Sequence, residues 1–172
     1  MKKRVIFFYL ILLASFQISN AQKAFDQLKY EDLELLDGSI LKKEDYKDKI
    51  VVINIWGTWC NACLTEIPEL NELVAKYKDE DIVFLAWSTS RFDSKDKIDA
   101  YFEYTKSSFD FLILKPAEKN NFCEMYGRKV SFPSTFVFDR EGKHIKTFKG
   151  NVMTKNKLNK LNNVIDGLLQ EQ

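Results

Sequence analysis

The sequence is short of the residues that would build several kinds of protein. Its 172 residues hold only three cysteines, three prolines, one histidine and six glycines. A single histidine, His144, far in sequence from the cysteine pair, leaves half of a zinc site missing. Neither sign of charge is in excess, with 26 basic and 25 acidic side chains and a net charge of +1. That balance provides no basic field to hold nucleic acid or an anionic lipid surface. No internal repeat and no low-complexity segment is present. The apolar run Val5 to Leu13 is unbroken, but it falls short of the roughly 20 residues a membrane span needs. Three is an odd number of cysteines, so at least one is unpaired or exchanges partners.

What remains is enough for a folded domain. Apolar residues are 45 % of the chain and aromatic residues 14 %, which supports a core and argues against disorder. The length suits one domain. Lys2, Lys3 and Arg4 followed by the apolar run and then Ser19-Asn20-Ala21 have the order of a secretory signal peptide. The expectation is therefore a signal peptide over 1–21, cleaved after Ala21, and an exported, periplasmic domain over 22–172. Anchoring by an uncleaved segment is the less favoured alternative, and no cysteine near Ala21 offers a lipid attachment point. Removal of the segment takes the net charge to −2. Outside the cytosol a disulfide can form and persist.

Along the rest of the chain, strands alternate with helices. Tyr30 to Leu36, the turn pair Asp37-Gly38 and Ile40-Leu41 suggest a hairpin. Ile50 to Trp56 is nearly all β-branched, as in a strand buried on both faces. Ile67, Leu70, Leu73, Val74 and Tyr77 have helical spacing within 61–77, and Ile82 to Trp87 is a second buried strand. Further helices are expected over 93–106, 116–126 and 158–169, and further strands over 109–114, 135–138 and 143–148. This is an α/β sandwich around a mixed sheet.

Cys60 and Cys63 follow the first buried strand and open the helix after it. Two residues between cysteines in a first helical turn place the sulfurs within bonding range. Unpaired N–H groups and the helix dipole favour a thiolate there. Cys60, the more exposed of the two, is the expected nucleophile and Cys63 the resolving cysteine. Half a zinc site and a purely structural disulfide are the bland alternatives. The first lacks its other ligands, and the second closes a loop too short to stabilise much.

The run Val52-Ile53-Asn54-Ile55-Trp56-Gly57-Thr58-Trp59-Cys60-Asn61-Ala62-Cys63, followed by Glu66-Ile67-Pro68, resembles the thioredoxin superfamily. More narrowly it is similar to the exported TlpA/ResA-like thiol–disulfide oxidoreductases. Tyr126 to Asp139, containing Phe132-Pro133-Ser134-Thr135, resembles the second signature of that group. The resemblance implies a thioredoxin-like fold, a central mixed sheet flanked by helices with an N-terminal β-hairpin extension. It implies Pro133 as a cis-proline facing the cysteines, with Phe132 and Trp59 shaping a substrate-binding surface, and Pro68 kinking the helix. It also implies a monomer without cofactor or metal, acting on protein disulfides or dithiols as a reductant fed by a membrane thiol donor. Helpers of cytochrome c maturation belong to the group. Where thioredoxins have a buried Asp, this chain has Asn54; Glu66 is expected to be partly buried, with a raised pKa, relaying protons to the thiols. Ala62 stands where many members have Pro.

Other functions on this fold fit less well. A peroxidase wants Thr or Ser at the place of Gly57, and a copper carrier wants a histidine near the cysteines. Trp56 is expected in the core, Cys123 as a buried small hydrophobe, and His144 on a solvent-facing strand without a role.

Overall fold

A computed structural model describes residues 31–88, 93–116, 131–152 and 155–171. The expected signal peptide, the helix over 116–126 with Cys123, and the first five residues of the second signature lie outside the described residues. A two-stranded antiparallel hairpin comes first, β1 (Leu33–Glu34) and β2 (Ile40–Leu41), with Leu33 opposite Leu41. Gly38 adopts φ +88° in its turn, a backbone conformation that glycine takes without strain. A one-turn helix α1 (Lys43–Tyr46) follows, then β3 (Ile50–Ile55), α2 (Asn61–Leu64), α3 (Ile67–Lys76), β4 (Ile82–Trp87) and α4 (Lys95–Thr105). The described chain ends with β5 (Leu112–Leu114), β6 (Ser134–Phe138), β7 (His144–Lys149) and α5 (Lys155–Gln170).

The main sheet has the order β5-β4-β3-β6-β7. β3 runs parallel to β4 and antiparallel to β6, so the sheet is mixed and β3 lies at its centre. All six β3 residues are buried, as the β-branched run requires of a strand covered on both faces. The period-two alternation sorts them. Ile50, Val52 and Trp56 pack with Ile67, Leu70 and Leu73 of α3 and Leu161, Ile165 and Leu168 of α5. Val51, Ile53 and Ile55 pack with Tyr46, Phe136 and Phe138. Each such aliphatic side chain contributes about 1.5–3 kcal/mol when fully buried. Asn54 shares the parity of Val52 and Trp56, which places one polar side chain within the α3/α5 face.

The expected single helix over 61–77 is two helices. Pro68 lacks the N–H that would bond Leu64, so the helix breaks after Leu64 and restarts at Ile67 with Pro68 in its first turn. The expected kink is thus an interruption, and it decides where Glu66 points. Two further differences have local causes. α1 is too short for a periodic signal. Asp93, expected inside a helix, lies before it, because Ser94 caps α4 by accepting from the Lys97 N–H.

Candidate active site around Cys60 and Cys63

β3 delivers the chain to Trp56, and a tight turn through Gly57, Thr58 and Trp59 leads to Cys60. Cys60 is the N-cap of α2, and Cys60 and Cys63 form a disulfide with Cα atoms 5.2 Å apart. The Cys63 N–H points at Cys60 Sγ at 3.2 Å. Cys60 is 7 % exposed and Cys63 1 %, so the first cysteine is the less covered of the two. With α2 ending after four residues, this local N–H rather than a long helix dipole favours charge on Cys60 once the bond is reduced.

The turn is anchored from an unexpected place. Asp93, 3 % exposed, accepts from the Thr58 N–H at 3.2 Å, the Thr58 hydroxyl at 2.5 Å and the Ser88 hydroxyl. The carboxylate fastens the loop before Cys60 to the end of β4. Gly57 belongs to the same packing. A Cβ there would fall 2.5 Å from Trp59 Nε1 and 3.0 Å from an Asp93 oxygen. The Thr or Ser that a peroxidase wants would therefore have to displace the Trp59 ring at position 57.

Trp59 is 48 % exposed and stacks at an angle on Phe132, ring centroids 4.9 Å apart. Phe132 precedes Pro133, and the bond between them is cis. Four of the expected site residues, Trp59, Cys60, Phe132 and Pro133, thus form one patch, in which Trp59 is a surface residue and Trp56 a fully buried one. Trp56 packs edge-on against Phe109 at 5.4 Å.

Glu66 is fully buried, beyond the expected partial burial. The helix break turns its side chain toward the sheet, where Asn54 Nδ2 donates to Oε1 at 3.0 Å and the Val152 N–H donates to Oε2 at 2.8 Å. Asn54 Nδ2 also donates to Thr135 Oγ1 at 3.1 Å. Burial pushes the Glu66 carboxyl up to about 7, against these two hydrogen bonds and the Lys157 charge, which favour the ion. An acid that titrates near neutrality is suited to giving and taking protons.

His144 is half-buried rather than solvent-facing. It packs on Phe136 and Phe138, and its Nε2 lies 2.8 Å from Thr147 Oγ1. Burial holds its pKa below the usual histidine value. No cluster of three or more His, Cys, Asp or Glu side chains that could hold a metal occurs among the described residues. Among them, no helix is long and apolar enough to cross a membrane. The sequence reasoning missed Asp93, Asn151 and Val152. Asp93-Ser94 signals a helix start and Gly150-Asn151 a turn, and neither pattern shows what the side chains reach in space.

Comparison with known proteins agrees with this geometry. Residues 22–146 match the model of the AhpC/TSA family. The thiol-disulfide oxidoreductase ResA of Bacillus thuringiensis subsp. konkukian is 33 % identical over 115 residues, covering 67 % of this chain. The alignment spans 63 % of that relative, under two thirds of its length. The crystal structure of the pneumococcal exposed lipoprotein thioredoxin Etrx1 from Streptococcus pneumoniae superposes with a TM-score of 0.59 at 28 % identity, covering 76 % of this chain and 96 % of that one. StoA from Bacillus subtilis superposes with a TM-score of 0.62 at 16 % identity, covering 77 % and 95 %. The fold is thioredoxin-like, and the chain belongs to the AhpC/TSA family.

Proposed function

We propose that the protein is a thiol–disulfide oxidoreductase that reduces disulfides of protein substrates outside the cytoplasm. The observation that carries this reading is the Cys60–Cys63 disulfide in the first turn of α2, beside the patch formed by Trp59, Phe132 and the cis Pro133. The name of the ResA relative supports the same chemistry. In the dithiol state, the Cys60 thiolate attacks a substrate disulfide and forms a mixed disulfide, expelling one substrate thiolate, which takes a proton. Cys63 then loses its proton to Glu66 and attacks Cys60 Sγ. The Cys60–Cys63 bond forms, and the second substrate sulfur leaves as thiolate. Two electrons pass to the substrate, and a membrane thiol donor restores the dithiol. The Trp59–Phe132 patch and the backbone of the loop at Pro133 hold the extended substrate segment. Apocytochrome c, with its C-x-x-C-H segment, is one substrate of the right chemistry.

Cys63→Ser is the direct test. Incubated with an oxidised protein substrate, the reduced variant accumulates a mixed disulfide through Cys60, while Cys60→Ser forms none and has no reductase activity. Retained turnover in Cys60→Ser overturns the reading. A reduction potential of the pair near roughly −270 mV supports a reductant, and one near roughly −120 mV reverses the direction of electron flow.

A further inference from the structure

Three consecutive residues between β7 and α5 touch each part of the site. The Gly150 N–H donates to Pro133 O at 2.8 Å. Asn151 Nδ2 donates to Ala62 O at 2.8 Å and Thr65 Oγ1 at 3.0 Å. The Val152 N–H donates to Glu66 Oε2. Lys157 ties the segment down from α5, donating to Lys149 O at 2.9 Å and Asn151 O at 3.3 Å. One short strap therefore joins the cis-proline loop, the cysteine-bearing helix and the buried carboxyl.

The physical need for the strap comes from the break in the helix. The Glu66 N–H turns to Cys63 O at 3.2 Å, a tightened final turn that leaves Ala62 O to other donors. Asn151 supplies one, together with the Thr65 hydroxyl at 3.1 Å. A carbonyl at an interrupted helix end needs such a partner, since an unmade hydrogen bond is costly. Asn151 thus satisfies the break that directs Glu66 inward, and Val152, itself fully buried, helps cover the carboxyl.

We propose that the strap 150–152 is the positioning element of the proton site, with Asn151 as the side chain that clamps it across the α2–α3 break. This rests on the reading of Glu66 as the proton relay. Asn151 bonds Ala62 O and Thr65 Oγ1 and acts through Glu66 and through the Pro133 loop. The groups acting on Glu66 are Asn54 from β3, which also bonds Thr135 of β6, the Val152 N–H, Glu69 from α3 and Lys157 from α5. Of the charged pair, Lys157 favours the ion and Glu69 opposes it. Burial outweighs both. If the clamp opens, water enters and replaces the Val152 N–H as donor, so the burial contribution falls while the hydrogen bonding is kept. The Glu66 titration then moves down, toward the ordinary carboxylate range.

The test uses Asn151→Ala in the full oxidised protein, with the Glu66 carboxyl followed by 13C NMR against pH. The expected shift is down by about one unit, a tenfold change in the protonation equilibrium. Thr65→Val, which removes one of the two acceptors of Asn151 and keeps the shape, shifts it the same way by less. Asn71→Ala is the control. Asn71 bridges Ser108 O and the Asp110 N–H, away from the site, so its loss lowers stability without moving the titration. An unchanged or raised Glu66 titration in Asn151→Ala overturns the strap proposal. The relay is tested separately, by the pH profile of disulfide exchange in Glu66→Gln. A profile that keeps its inflection near neutrality overturns the relay, whatever the NMR titration gives.

Discussion

Replacing Glu66 by glutamine should change the pH dependence of stability by an amount that the structure sets. The carboxyl titrates near 7 in the folded protein against 4.5 in the unfolded chain. Each unit of difference is worth about 1.4 kcal/mol, so the whole is about 3 kcal/mol. Because the folded value is raised, the contribution favours folding fully below about pH 4.5 and is lost as the pH rises through about 7. A glutamine side chain carries no such dependence. It also cannot accept from both Asn54 Nδ2 and the Val152 N–H, because one of its two polar atoms is a donor, and this costs about 1 kcal/mol at every pH. Urea unfolding of the oxidised wild type and Glu66→Gln, from acid to mildly alkaline pH, measures the difference. The variant is less stable than the wild type at low pH and gains on it by about 3 kcal/mol across the window, ending the more stable of the two. Other titrating groups cancel in the comparison. Parallel stability curves would refute the reasoning, since they would mean that Glu66 ionises alike in the folded and unfolded states.

Two more outcomes follow from the turn before Cys60. Asp93→Ala removes the acceptor of the Thr58 N–H and of the Thr58 and Ser88 hydroxyls, and a loss of about 1–3 kcal/mol is expected by chemical denaturation, with slower exchange on protein substrates. Wild-type stability in Asp93→Ala would show that the carboxylate anchors nothing. Gly57→Ala forces the Trp59 indole off its seat. Because that ring is half exposed, the cost falls on orientation rather than stability. Acrylamide quenching of tryptophan fluorescence rises and KM for a protein substrate increases, while the reaction with dithiothreitol is little changed; equal loss on both substrates would contradict this.

Much of the fold was legible because its signals are local. The β-branched run Ile50 to Ile55 can only be a covered strand, and the Leu70, Leu73 and Leu161, Ile165, Leu168 spacings can only be helix faces packed on it. The cysteine pair was legible for the same reason, since strand, C-x-x-C and helix are contiguous. The supports of the site were not. Asp93 meets Thr58 across 35 residues of chain and Asn151 meets Ala62 across 89, and neither separation leaves a periodic trace. Glu66 falls between. Its place after Cys63 marked it, but its complete burial depends on the interruption that Pro68 imposes. The solvent-facing place expected for His144 fails because an edge strand alternates only loosely, and Phe136 and Phe138 of the next strand cover its ring.

The N-terminal hairpin has a consequence for self-association. β5 lies at the border of the main sheet, where a bare ladder would recruit any extended chain. The hairpin occupies it, with the Leu36 N–H on Ile113 O at 2.8 Å and the Lys115 N–H on Glu34 O at 2.9 Å. The opposite border, β7, carries the exposed Lys146 and Lys149, charges that discourage a stacked copy. For the disulfide exchange proposed above, closed borders matter, because an extended substrate chain is what a bare edge would capture. On the proposed reading, blunting both borders disfavours indiscriminate strand addition and leaves an extended substrate segment to the loop at Pro133.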